Sequence, residues 1–374
     1  MKKLLICSHA YVSPENLIKP QLLAKKFKVG LVVPKKWEAM GRKLQITNDE
    51  LRMTNFKTFR LGTFLSGNGG KYFYNPFSLF LVFLKFKPEI LYVEEEPWTP
   101  SAFELLFLAK LFRVKRKVIF SWENLDLPLA GWQRFVKKFV LTGVDLVVCG
   151  NSEAKKLIEN YLGWKSWRHR KTCVFVNAQF GVDTKRFVSS SVITHPSPDK
   201  FVIGFVGRFV SAKGIDTLIE ALSLLPKDCR LLLVSTTKLP DRFLDLAKRH
   251  KVLNRIQVVE SKPHQELPQY LNQMDVFVLP SKTTPSWKEQ FGRVLIEAMA
   301  CGLPVIGSSS GAIPEVVGSA GLTFEENNPS DLAKKIKKLK DLPKLCQELS
   351  QKALKKATTF YTHKAVVDRL TSIL

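Results

Sequence analysis

Short runs of consecutive apolar residues alternate along the chain with longer stretches whose apolar positions recur every three or four residues. In the first half the apolar runs are Lys3–Cys7, Gly30–Val33, Ile90–Val93, Lys117–Ser121, Leu146–Cys149 and Cys173–Val176, and each predicts a strand. Helical spacing occupies Asn16–Phe27, Thr99–Phe112 and Ser152–Tyr161 between them. Strands that are apolar throughout, rather than at alternate positions, are buried on both faces, so the pattern predicts an α/β architecture with parallel sheets covered by helices.

A polar break with two prolines, Ser189–Lys200, reads as a linker. The alternation then restarts, with strands predicted at Phe201–Val206, Arg230–Ser235, Ile256–Val259, Val276–Pro280 and Val305–Gly307. Helices are predicted at Ile215–Leu224, Asp241–Arg249, Glu266–Gln273 and Arg293–Ala300, and Asp331–Leu374 reads as helical and basic. The expected organisation is an N-terminal domain over 1–190, a second over 198–355, and a terminal helix at 356–374 that packs back on the first. Two open sheets are expected to face each other across a cleft, with ligands outside the carboxyl ends of the strands.

Two motifs at such strand ends carry chemistry. In GFVGRFVSAKG, Gly204–Gly214, a buried strand ends at Gly207, Arg208 follows, and Lys213-Gly214 precede a helix. Gly207 permits close backbone approach. Arg208 can grip two phosphate oxygens, and Lys213 adds a point charge. In the second motif Glu289 and Glu297 are separated by seven residues, and Gly292 opens an apolar helix. The amides of Gly292, Arg293 and Val294 lie at that helix's N-terminus, where a diphosphate binds without metal. Glu297 is then placed to accept two ribose hydroxyls and Glu289 to meet a sugar. A third segment, Gly311–Gly318, predicts a tight loop and short helix near the same site.

From Gly204 to Gly321 these residues resemble the retaining GT-B glycosyltransferases of family 4. The shared elements are the GxxGR…KG loop, the E-x7-E pair, Asp275–Ser281 (DVFVLPS) and AMACGLPVI, while Asn177–Phe187 resembles that family's NGVD segment. The resemblance is strong over most of the C-terminal half and weak over the N-terminal half. It implies two Rossmann-like domains, a nucleoside diphosphate sugar of uridine or guanosine as donor, and diphosphate neutralisation by Arg208 and Lys213. It also implies ribose binding by Glu297 and contact of Glu289 with the donor sugar, with Phe291 in the same donor site. Transfer of a hexose to a glycan or lipid-linked acceptor, with retention and without metal or other cofactor, follows from it as an expectation. The acceptor residues it suggests are His9, Glu123 and Asn124. The chain departs from the pattern in lacking a Gly-rich loop at Ser8–Tyr11, in Gln290 and Arg293, and in Trp122-Glu123-Asn124 where many members carry a His.

Composition changes the picture in one respect. With 58 basic against 33 acidic residues the net charge is +25, which favours anionic partners. Cations mix with large aromatics in Phe56–Arg60, Lys71–Lys87, Leu111–Lys117 and Trp132–Phe139. Peripheral contact with an anionic membrane is the expectation; the alternative is that the aromatics are core and the cations merely solvated. The rival functional reading, a non-catalytic, nucleic-acid-associated basic protein, rests on charge alone, and no nucleic acid partner is expected. A sugar epimerase of the same fold lacks the E-x7-E context. Six dispersed cysteines without CxxC or zinc spacing predict mostly buried thiols and a cytoplasmic setting. The apolar stretch in MKKLLICSHAYVSP is too short for a signal sequence and reads as the first strand. No DxD, Walker A or G-x-G-x-x-G motif opens a helix after the first strand.

Overall fold

In the computed structural model the described residues are 1–39, 42–44, 47, 54–163, 173–189, 199–260 and 264–374. Most of the polar break at Ser189–Lys200 lies outside them. The chain forms two units, Met1–Phe180 with His363–Leu374, and Gly181–Thr362.

The first unit is built on a seven-stranded parallel sheet. Its strands are β1 (Lys3–Cys7), β2 (Lys28–Pro34), β3 (Lys57–Leu61), β4 (Ile90–Val93), β5 (Arg116–Ser121), β6 (Leu146–Cys149) and β7 (Cys173–Val176), in the order β7-β6-β5-β4-β1-β2-β3. Alternate residues of each strand enter opposite cores. Leu5, Cys7, Leu91 and Val93 pack in one, and Leu4, Ile6, Ile90 and Tyr92 in the other, the period-two geometry of a sheet covered on both faces. Strand β3 falls within a segment that sequence patterning read only as basic and aromatic. It is an edge strand, with Lys57 and Arg60 exposed and only Leu61 buried, so it lacks the continuous apolar run of a central strand.

The second unit has a six-stranded parallel sheet. Strands β8 (Phe201–Val206), β9 (Cys229–Ser235), β10 (Ile256–Glu260), β11 (Val276–Leu279), β12 (Val305–Ser308) and β13 (Gly321–Phe324) run in the order β10-β9-β8-β11-β12-β13. Strand β13, another edge, was not predicted either. Each sheet thus follows the doubly wound order, extending outward in opposite directions from a central pair. That pair is β1 and β4 in the first unit and β8 and β11 in the second, and loops leaving such a pair diverge to opposite faces and open a crevice.

Helix ends follow their caps. Thr99 accepts from the Ala102 amide at the start of Pro100–Leu111, and Asn151 does the same for Ala154 in Ser152–Leu162. Pro20 lies within Asn16–Phe27, and what forms there is a short 3-10 turn, Pro14–Leu17, followed by the helix Ile18–Leu23. At the C-terminus, Lys356 does not begin the returning segment. Helix Pro343–Phe360 continues through it, with Ala353 and Ala357 buried in the second unit's core. The segment assigned to the first unit starts at His363. Its Val367 and Leu370 join the first unit's core beside Leu4 and Ile6, the Val366 carbonyl accepts from Asn177, and the Ile373 carbonyl accepts from Arg116.

The basic, aromatic segments divide residue by residue. Tyr72, Tyr74, Phe83 and Phe86 are core. Phe77 is 71% exposed and Phe135 63%, and Phe80, Leu84, Phe107, Leu111 and Trp132 are also exposed. These outward residues lie on helices Pro76–Phe86, Pro100–Leu111 and Gly131–Gly143. Ring contacts join the elements: Phe80 meets Phe112 at 5.2 Å and Phe103 meets Phe139 at 4.9 Å. No helix among the described residues is long and apolar enough to cross a membrane.

Candidate functional site

The crevice of the second unit lies where β8 and β11 end. Strand β8 hands over to Gly207 and Arg208, and a 3-10 turn, Ser211–Lys213, carries the chain to Gly214. Gly214 has φ +68°, and a Cβ there would come within 1.9 Å of the Pro280 carbonyl oxygen, so the turn closes onto the end of β11 only with glycine. The Lys282 amide completes the junction by donating to Ala212.

This close approach brings the first motif to the second. Lys213 Nζ donates to Glu289 Oε2 at 2.5 Å, and the Ser281 hydroxyl donates to the same oxygen at 2.8 Å. The ammonium also sits 4.7 Å from the Trp287 ring centroid, a cation–π distance. Glu289 is buried, and the third motif holds its backbone. The Ala312 amide donates to the Glu289 carbonyl at 3.0 Å. Gly311, at φ +54°, passes so close that a Cβ would lie 2.1 Å from that carbonyl.

Gly292 is the N-cap of helix Arg293–Ala300, whose boundaries match the sequence expectation. The amides of Arg293 and Val294 therefore open the helix beside Glu289, with Phe291 half-buried before it. Glu297 lies one turn in and is buried. Its Oε1 is 2.9 Å from His264 Nε2 and 3.2 Å from Arg293 Nε. Arg208 is exposed at the strand end. The structure places Gly207, Arg208 and Lys213 after β8 and Glu289, Phe291, Gly292, Arg293, Val294 and Glu297 on the loop and helix that follow its neighbour β11, and Lys213 meets Glu289 across them. Sequence reasoning missed Ser281, Trp287 and His264. Ser281 ends a recognisable apolar strand and was within reach, but His264, 33 residues before Glu297, carries no local signal.

The three residues suggested in the first unit separate. His9 follows β1 and joins Glu95. Glu123 instead accepts from Lys137 at 2.8 Å, on helix Gly131–Gly143, and Asn124 is buried. Three acids missed in the sequence, Glu94, Glu95 and Glu96, follow β4 directly. Burial pushes the Glu96 carboxyl up to about 7 against the hydrogen bonds from Ser121 and the Trp122 amide. Burial opposes protonation of His9, but the charge and hydrogen bond of Glu95, with Glu94, outweigh it and raise the His9 pKa.

Comparison with known proteins places this geometry. Residues 191–356 match the family described as glycosyl transferases group 1. An uncharacterized glycosyltransferase of Methanocaldococcus jannaschii is 28% identical over 236 residues, covering 63% of this chain and 60% of that protein. The phosphatidylinositol N-acetylglucosaminyltransferase GPI3 subunit of Saccharomyces cerevisiae is 30% identical over 210 residues, 54% of this chain and 44% of that one. The chain therefore spans roughly half the length of these curated relatives. Among solved structures, Anabaena Alr3699/HepE in complex with UDP superposes with a TM-score of 0.77 at 16% identity, over 100% of this chain and 99% of that one. The fold is GT-B, with two Rossmann-like units.

Proposed function

We propose that the chain is a retaining glycosyltransferase moving a hexose from a UDP- or GDP-sugar to a hydroxyl of a glycan or lipid-linked acceptor. The reading places it in cell-surface polysaccharide or glycolipid synthesis, on the cytoplasmic side of an anionic membrane. The observation that carries it is the meeting of Lys213 with Glu289 at the end of β8, beside the opening of the Glu297 helix. The match to the group 1 family supports it, as do the names of the relatives, one of them an N-acetylglucosaminyltransferase.

In this reading Arg208, Lys213 and the amides of Arg293 and Val294 neutralise the donor diphosphate, and Glu297 holds the ribose. The bond between the anomeric carbon and the phosphate oxygen breaks with its electron pair leaving on the phosphate. The acceptor oxygen attacks the same face, and its proton passes to the departing phosphate. Glu289, oriented by Ser281 and Lys213, faces the positive charge that develops on the sugar. Metal independence belongs to the same proposal, because fixed cations and amides supply the charge stabilisation that an ion otherwise gives.

The test is a thermal-shift panel of UDP- and GDP-sugars. A donor at 100 times its dissociation constant should stabilise the fold by about 2.7 kcal/mol. If no sugar nucleotide of either base moves the transition, the reading is wrong.

A further inference from the structure

The second unit has a cavity at the other end of its sheet from the Lys213–Glu289 pair, where β8, β9 and β10 begin. Pairing sets Val202 beside Arg230 and Leu232 beside Gln257. Side chains alternate along a strand, so these four share one face of the sheet. Arg230 is the only charged residue of β9. Strand β10 is the edge, and it leaves Gln257 exposed. The cavity measures about 230 Å³, below the ~300 Å³ at which sites for drug-sized ligands begin, and so suits a small group rather than a nucleotide. Roughly 17 Å of strand separate Val202 from Gly207 at the other crevice.

Three cations line this cavity, Lys200, Arg230 and Arg255. Backbone carbonyls of the turn before β9 fix both guanidiniums. Arg255 Nε donates to the Cys229 carbonyl at 3.1 Å and its Nη2 to the Pro226 carbonyl at 2.7 Å. Arg230 Nη1 donates to the Lys227 carbonyl at 2.6 Å and to the Cys229 carbonyl at 3.1 Å. Among the described residues nothing accepts a hydrogen bond from Arg255 Nη1, from Arg230 Nε or Nη2, or from the Lys200 ammonium. Asn254, Gln257 and Gln273 add neutral amide groups to the lining.

The acids near this end of the sheet are engaged elsewhere. Asp228 pairs with Lys340 at 2.8 Å, and Asp275 accepts from the Val202 amide at 2.6 Å. Asp199 precedes Lys200 but is exposed. No Asp or Glu among the described residues lines the cavity. Burial first, and then the charge of Arg230, lowers the Arg255 pKa from its ordinary value, and Asp228 only partly offsets this. A guanidinium so perturbed is still protonated at neutral pH. Two like charges are therefore held close together, and an anion between them offsets their repulsion.

We infer that this cavity binds inorganic phosphate or a phosphate monoester through Lys200, Arg230 and Arg255, at a site separate from the donor crevice. Guanidinium N–H groups in a fixed fork match phosphate oxygens, and the ammonium adds a point charge. The dianion reaches the site either free in solution or as the headgroup of phosphatidic acid. The site stands whether or not the chain transfers a sugar.

Calorimetric titration of the full chain with inorganic phosphate, at constant ionic strength, tests this. Binding should appear by about 10 mM, and Lys200→Gln and Arg230→Gln should each weaken it by roughly fivefold or more. Lys200→Arg should retain it. Arg208→Ala, which alters the other crevice, should leave it in place. The inference is overturned if Arg208→Ala alone removes the phosphate binding, if neither Lys200→Gln nor Arg230→Gln weakens it, or if no phosphate binds by about 10 mM. Arg230→Gln also loses carbonyl bonds, so its thermal transition is recorded alongside. If that variant unfolds, Lys200→Gln, at an exposed side chain, decides alone. Flotation on phosphatidylcholine vesicles with and without phosphatidic acid then identifies the source. If Lys200→Gln lowers flotation and soluble phosphate competes, the site takes a headgroup. If flotation is unchanged while phosphate binding falls, it takes the free ion. Lower flotation with phosphate affinity intact would show general surface charge and would also overturn the site.

Discussion

Lys213 and Glu289, 76 residues apart in the chain, are joined Nζ to Oε2 at 2.5 Å, with the Ser281 hydroxyl on the same carboxylate oxygen. The cation expected to serve the diphosphate and the acid expected to serve the sugar are therefore one coupled pair. Removing either should disturb both halves of the donor site. Lys213→Ala should lower kcat/KM by roughly 10²–10³-fold, a loss of about 2.7–4 kcal/mol of transition-state stabilisation. The double variant with Glu289→Gln should cost clearly less than the two single losses added, because contacting residues are not additive. Transfer kinetics on the three variants check this, and near wild-type rates for Lys213→Ala would falsify the assignment. Arg208→Ala, outside the pair, should also lose activity.

The two carboxylates of the Glu289 and Glu297 motif should separate kinetically. Glu297, held by His264 at 2.9 Å, is assigned to a part of the donor that does not change during reaction. Glu297→Gln should chiefly raise the donor KM. Glu289→Gln should lower kcat by roughly 10²-fold with a smaller change in KM. The opposite pattern in steady-state kinetics would mean that the donor lies reversed.

Activity should persist in EDTA, since the proposed leaving-group stabilisation uses Arg208, Lys213 and backbone amides. Complete loss that magnesium or manganese restores would refute it.

Phe77, Trp132 and Phe135 protrude from helices of the first unit, within segments that also carry Lys85, Lys87, Arg134 and Lys138. The chain should float with anionic vesicles and less with neutral ones, and added salt should release it. The combined change Phe77→Ser, Trp132→Ser and Phe135→Ser should weaken vesicle binding without altering the thermal transition, since these side chains are outside the core. Equal binding to neutral and acidic vesicles would remove the membrane surface from the proposal.

Stability should fall as pH rises through neutrality. Glu96 titrates at about 7 in the folded unit against an ordinary 4.5. Between those values the folded state holds a proton that the unfolded state has released, so its contribution is present below the lower value and lost on approach to the upper. His9, raised above 6.5, has the same sign: its contribution is full below 6.5 and disappears above its folded value. The melting temperature should decline between about pH 5 and pH 8, and Glu96→Gln, which cannot release a proton, should flatten the decline. An unchanged slope in the variant would show that Glu96 is not the titrating group.

Local pattern alone determined much of this protein. Ile90–Val93, Leu146–Cys149, Phe201–Val206, Asp241–Arg249 and Arg293–Ala300 occupy the spans read from the sequence, because burial on both faces of a strand or one face of a helix leaves a periodic trace in the residues themselves. Strands β3 and β13 left no such trace, since Lys57 and Arg60 interrupt the first and only Phe324 of the second is buried. The motif residues at the ends of β8 and in the Glu297 helix were legible because glycine, cation and acid fall at fixed spacing beside apolar runs. What only the tertiary structure decided is which strand ends are neighbours. The orders β3-β2-β1-β4 and β10-β9-β8-β11 create the two crevices. They place His9 against Glu95 across 86 residues, Lys213 against Glu289, and His264 against Glu297. Strand pairing is set by long-range packing and the handedness of crossovers, which no window of sequence contains.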